Sequence, residues 1–75
     1  MTLTFESLSS ATKHGKFIVR NFDFIESVRI CFSPDDERFH VFSAASFDKI
    51  PENFQLYREI KNNHKMQLWK IYIII

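Results

Sequence analysis

Cysteine is almost absent from this sequence: Cys31 is the only one among 75 residues. A single thiol excludes a disulfide within the chain. It also argues against a structural zinc, because the three histidines are scattered without the close spacing of zinc ligands. A core built from so few residues supplies little net stability. We therefore expect no metal and no other cofactor, and we expect dense aromatic packing or oligomerisation to stabilise the fold.

Glycine occurs once and proline twice, which leaves little room for long flexible loops. The length predicts a single domain over residues 1–75. Phe, Ile, Lys and Asn are abundant while Gly, Ala and Pro are sparse. This skew is typical of AT-rich codons and indicates an AT-rich genome or a mobile element.

Excess charge and long apolar runs are lacking as well. The formal net charge of +1 is too small to attract nucleic acid or an anionic membrane by itself. The most apolar stretch, residues 71–75, is far too short to span a bilayer, and residues 1–4 lack the basic flank and apolar core of an export signal. We expect a cytoplasmic protein that does not bind membranes.

The clearest local pattern is a β-hairpin between residues 28 and 43. Apolar and polar residues alternate on both sides of the turn sequence at residues 33–37. Pairing Phe32 with Phe39 places Ile30 opposite Val41 and makes one face apolar throughout. A one-residue slip would destroy that face, so the pattern predicts the parity of the register.

The remaining segments complete a two-layer α+β domain. Residues 2–6, 17–24 and 66–75 have alternating patterns that predict strands. Apolar residues spaced along residues 51–63 predict a helix, with Asp48 as its cap. Residues 7–14 fit equally well a short helix ended by Gly15 and a longer strand. The predicted fold is an antiparallel sheet of four to five strands with one helix, from the C-terminal half, packed on one face.

The predicted register also places Cys31 opposite His40 on the face away from the core. A thiol beside an imidazole can form a nucleophilic pair. An active thiol further needs an orienting group and an oxyanion site, and no glycine-rich loop is near to provide the latter. The acidic cluster at residues 35–37 could bind a hard cation, but it lacks the ligand spacing of a calcium loop. We expect a solvated turn there, and no enzyme.

The surplus of aromatic residues is the feature that points to function. Twelve aromatic rings exceed what one sheet face and one helix need, and an exposed apolar face marks an interaction site. We expect a non-enzymatic protein-interaction module, a small regulator or inhibitor from a mobile element, that acts through an aromatic sheet face or an edge strand. Its partner is another protein, and a second copy of the chain is the simplest choice. The expected interface residues are Arg29, Phe42, Leu68, Lys70, Tyr72 and Ile74.

The alternative is a single-stranded nucleic-acid-binding domain. Residues 16–22 interleave cations with aromatic rings, and strands of this kind can stack bases. The residues that would bind are Lys16, Phe17, Arg20 and Phe22. The near-neutral net charge disfavours this alternative, because it removes most of the attraction for phosphates.

Overall fold

An antiparallel sheet with one helix on one face forms the fold in the computed structural model, which describes residues 3–62. In chain order the elements are β1 (Thr4–Phe5), α1 (Leu8–Asn21), β2 (Ser27–Ser33), β3 (Arg38–Ser43), a 3₁₀ helix (Ala44–Lys49) and β4 (Gln55–Lys61). The strand order is β1-β3-β2-β4, and neighbouring strands are antiparallel. The predicted α+β class is confirmed, but the helix lies in the N-terminal half of the chain.

The predicted hairpin is confirmed in its register. Phe32 pairs with Phe39, Ile30 with Val41 and Cys31 with His40. The turn between the strands is closed by a hydrogen bond from the Glu37 N–H to the Ser33 carbonyl, 2.9 Å long. The alternating apolar residues and the turn residues of this hairpin are close together in the chain. The sequence alone therefore specifies the hairpin.

The strand predicted at residues 17–24 is wrong, because residues 17–21 form the last turns of helix α1. Ser7 caps the helix, and its hydroxyl accepts a hydrogen bond from the Ser10 N–H at 3.1 Å. The buried residues of α1 recur at helical spacing from its first turn onward: Ala11, Thr12, Gly15 and Val19. Of the two readings left open for residues 7–14, the helix is therefore the correct one, and Gly15 lies inside it.

The helix predicted at residues 51–63 is also wrong, because residues 55–61 form strand β4. Tyr57 and Ile60 are three residues apart, which is the spacing of one helix face, but here the spacing results from an irregularity in the strand. The β2–β4 pairing has an irregularity at Ile30 and Cys31, which lie opposite Arg58 and Leu56 and leave Tyr57 as an extra residue. Tyr57 therefore packs against Phe32 and Phe39 on the same side of the sheet as Ile60.

The core lies between α1 and the sheet. Its buried residues come from the helix and from the two central strands, with half-buried apolar residues around them: Ala11, Val19, Val28, Ile30 and Val41, surrounded by Phe5, Leu8, Ile18, Ile25, Phe39 and Ile60. The predicted N-terminal strand is present as β1, in which Phe5 pairs with Phe39. The strand predicted at residues 66–75 lies outside the described residues.

Candidate functional site

The sheet face opposite α1, which we expected to carry the interface, is covered by the segment 44–54. Phe42 is only 8% exposed, and the ring of Phe54 packs 6.1 Å from it. Arg29 donates a 3.0 Å hydrogen bond to Glu59 and places its guanidinium 4.2 Å from the centre of the Phe47 ring. Phe42 is thus part of the packing on this face. The other expected interface residues, Leu68, Lys70, Tyr72 and Ile74, lie outside the described residues.

Exposed apolar side chains collect instead at a cleft beside the C-terminal half of α1. We call this the α1 cleft, and its lining comes from the helix, the following turn, β3 and the 3₁₀ helix: Leu3, His14, Ile18, Phe22, Phe24, Ile25, Val41, Phe42, Ser43, Ser46 and Lys49. Phe24 is 77% exposed and Phe22 is 42% exposed. Large rings with this much exposure are costly in water and indicate a contact surface.

The end of α1 determines how these rings project. The Phe22 N–H still donates to the Ile18 carbonyl at 3.0 Å, and the Ile25 N–H then donates to the Phe22 carbonyl at 3.0 Å. This tight turn holds the rings of Phe22 and Phe24 edge to face, 5.8 Å apart. The next residues are fixed by Asn62, whose side-chain amide donates to the Ile25 carbonyl. Backbone and side-chain hydrogen bonds therefore define the path of the chain at the end of the helix beside the cleft.

The residues of the nucleic-acid alternative are divided between two surfaces of α1. Phe22 lines the α1 cleft. Lys16, Phe17 and Arg20 lie on the exposed side of the helix, not on a strand as predicted. Phe17 is 55% exposed, and its ring lies 6.4 Å from that of His14, nearly parallel to it.

A shallow groove lies on the other flank of α1, between the helix and β4. Its lining contains three cations and no carboxylate: Leu8, Ser9, Thr12, Lys13, Lys16 and Arg58. Arg58 reaches this groove because it pairs with the fully buried Ile30 and so lies on the helix side of the sheet. We call this surface the cationic groove.

The pair formed by Cys31 and His40 is placed as predicted, and Asp36 extends it. His40 Nε2 lies 2.9 Å from Asp36 Oδ2, which is the orienting contact that a catalytic histidine requires. Desolvation pushes the pKa of Asp36 upward, but hydrogen bonds from His40 and from the Arg38 N–H outweigh it and leave the pKa below its usual value. The imidazole also packs edge to face on Phe54, with ring centres 4.9 Å apart.

The thiol itself is poorly suited to attack a substrate. Cys31 is 2% exposed, and burial raises its pKa although the charge of Arg29 opposes the shift. A nucleophilic cysteine needs the opposite shift and an accessible sulfur. In the part of the chain that the structure describes, no group of three His, Cys, Asp or Glu side chains could hold a metal ion.

Sequence reasoning missed several residues of both surfaces. Leu3, Phe24 and Lys49 of the α1 cleft, and Lys13 and Arg58 of the cationic groove, are far apart along the chain. The residues of each surface come together only because α1 packs across the sheet, and the sequence does not show that packing. One local signal was available: Phe22 and Phe24 flank Asp23 directly after a helix end, where buried rings are not expected.

Compared with known protein families, curated proteins and solved structures, this chain shows no match. Among residues 3–62, no helix has the length and apolar character needed to cross a membrane.

Proposed function

We propose that this protein is a non-enzymatic protein-interaction module that docks through the α1 cleft, and that its first partner is a second copy of the chain. The observation that carries the proposal is the 77% exposure of Phe24 beside the α1 cleft. Burying an exposed phenylalanine side chain contributes about 2 kcal/mol. We further propose that the protein acts in the cytoplasm as a small regulator or inhibitor.

The shape of this surface suits a symmetric dimer. A twofold interface uses the same patch on both subunits, so the patch must contain both a projecting group and a space to receive it. Phe24 is the most exposed large apolar residue of the described chain, and Val41 and Phe42 are among the residues that line the cleft beside it. One protomer can therefore insert its Phe24 into the cleft of its partner, while the partner does the same in return.

The polar groups around the cleft fit this role. Lys49 and Ser46 are part of its lining, and protein interfaces combine aromatic residues with polar groups in this way. Burial and the raised pKa of Cys31 further support a function without covalent catalysis.

Photo-crosslinking from position 24 tests the docking surface directly. A benzoylphenylalanine at this position should form crosslinks between two copies of the protein, and mass spectrometry should map them to cleft residues such as Ile18 and Ser46. The same photoreactive residue at position 56 is the matched control, because Leu56 is 58% exposed but lies on β4.

Two outcomes would contradict the proposal. Equal crosslinking from positions 24 and 56 would show random collisions instead of docking. Crosslinks from position 24 that map outside the cleft would place the contact elsewhere.

A further inference from the structure

The cations of helix α1 are segregated from the acidic residues of the protein. Helix α1 contains Lys13, Lys16 and Arg20 and not one Asp or Glu. The nine acidic residues lie in the turns, the strands and the 3₁₀ helix instead: Glu6, Asp23, Glu26, Asp35, Asp36, Glu37, Asp48, Glu52 and Glu59. A net charge of +1 therefore hides a strongly cationic helix surface.

The cations of the cationic groove are not neutralised within the fold. Among the described residues, the arginines at positions 29 and 38 pair with Glu59 and Glu6. Lys13, Lys16 and Arg58 have no ion pair to a carboxylate in that part of the chain. Gathering like charges in one place costs free energy, and a bound anion would recover that cost.

An exposed aromatic ring lies beside the same cations. On the surface of a helix, residues three and four apart are neighbours, so Phe17 lies between Lys13 and Arg20. Phe17 is 55% exposed, so more than half of the residue is open to solvent beside the neighbouring ring of His14. Carboxylates of an acidic peptide would be satisfied by the cations alone, whereas the phosphates and bases of a nucleic acid use both cations and an aromatic face.

We propose that the cationic groove and Phe17 bind the backbone and a base of single-stranded nucleic acid. Lys13, Lys16, Arg20 and Arg58 contact phosphates, and Phe17 stacks on a base. This surface uses other residues than the α1 cleft, so the two proposals stand or fall separately.

Fluorescence anisotropy with labelled DNA and RNA single strands of about eight nucleotides tests this proposal. Four phosphate contacts predict that affinity falls about 50-fold between about 50 and 200 mM salt. Lys16→Gln should reduce this fall to about 20-fold, because one contact is lost. Lys49→Gln is the matched control: it removes the same charge at the α1 cleft and should leave the salt dependence unchanged.

The aromatic contribution has its own matched pair of variants. Phe17→Ala should weaken binding by about 10-fold, the loss expected from one base stack. Phe24→Ala removes a more exposed ring and should leave the affinity for a short strand unchanged. The same variant should weaken dimerisation through the α1 cleft by about 10-fold, which separates failure of one proposal from failure of the other.

Three results would overturn the inference. They are an absence of binding at about 50 mM salt, equal weakening by Lys16→Gln and Lys49→Gln, and displacement of the strand by polyglutamate at equal charge concentration. Displacement by polyglutamate would indicate that the cationic groove binds acidic proteins and not nucleic acid.

Discussion

Gly15 of helix α1 faces Ile60 of strand β4 so closely that a Cβ atom at position 15 would lie 3.0 Å from Ile60 Cδ1. The same Cβ would lie 3.1 Å from Val28 Cγ2. The only glycine of the chain therefore lies where the helix packs closely against the sheet. This approach brings the cations of α1 within reach of Arg58 on β4.

The first prediction concerns this close approach. Gly15→Ala gains up to about 1 kcal/mol from helix propensity, but overpacking costs about 1–3 kcal/mol. Ile60 could yield at the end of its side chain, whereas Val28 is fully buried and stiff. We expect a net loss of about 1 kcal/mol, measured by urea unfolding.

Two further variants check the cause of that loss. Ser9→Ala, at an exposed position of the same helix, should stabilise the protein slightly through propensity alone. Ile60→Val removes the Cδ1 atom, so combining it with Gly15→Ala should cost less than the sum of the two single changes. Additive losses would show that the two residues do not touch.

The positions of these residues also show what the sequence could and could not predict. The hairpin was predictable because Phe32, Phe39 and the turn between them are close in the chain and interact mainly with each other. Phe17, Ile18 and Val19 have strand propensity and so predict a strand at residues 17–21, but propensity yields to tertiary packing. The contacts that place the helix on the sheet, such as those of Gly15 with Val28 and Ile60, join residues that are far apart in the sequence.

The candidate site was less predictable than the fold class for a related reason. The aromatic surplus correctly suggested apolar surface beyond the needs of one core, since Phe17, Phe22 and Phe24 are all exposed. The location of this exposed apolar surface depends on which sheet face the segment 44–54 covers. That segment has no periodic pattern, so nothing in the sequence indicated that it would pack Phe47 and Phe54 onto the second sheet face.

The second prediction concerns the contact between Asp36 and His40. Because the pKa of Asp36 is lowered in the folded protein, its ionised form stabilises the fold above the unfolded pKa. That contribution is lost as the pH falls through the folded pKa. Asp36→Asn should therefore be less stable than the parent at neutral pH, and the two unfolding curves should converge in acid.

Glu52→Gln serves as the control for Asp36→Asn, because it removes an exposed carboxylate that does not contact His40. Its effect on the free energy of unfolding should be small at every pH. A stability difference for Asp36→Asn that persists unchanged in acid would mean that the carboxylate charge is not the cause.

The third prediction concerns the accessibility of Cys31. A buried thiol with a raised pKa should react with iodoacetamide far more slowly in the native protein than in urea. Since the folded pKa exceeds the unfolded one, the neutral thiol stabilises the fold below the unfolded pKa, and this contribution is lost as the pH rises towards the folded value. Equal alkylation rates in native and denatured protein would contradict the burial of Cys31, and a faster rate in the native protein would contradict the non-enzymatic proposal.

The central claim, docking of two copies through the α1 cleft, is tested most directly by sedimentation velocity across a range of protein concentrations. The parent should shift towards the mass of a dimer as concentration rises. Phe24→Asp should raise the dimer dissociation constant by at least about 10-fold, because a charge would replace the central ring. Leu56→Asp, an equal change on β4, should leave it unchanged. A parent that stays monomeric at every concentration, or equal effects of the two variants, would contradict the claim.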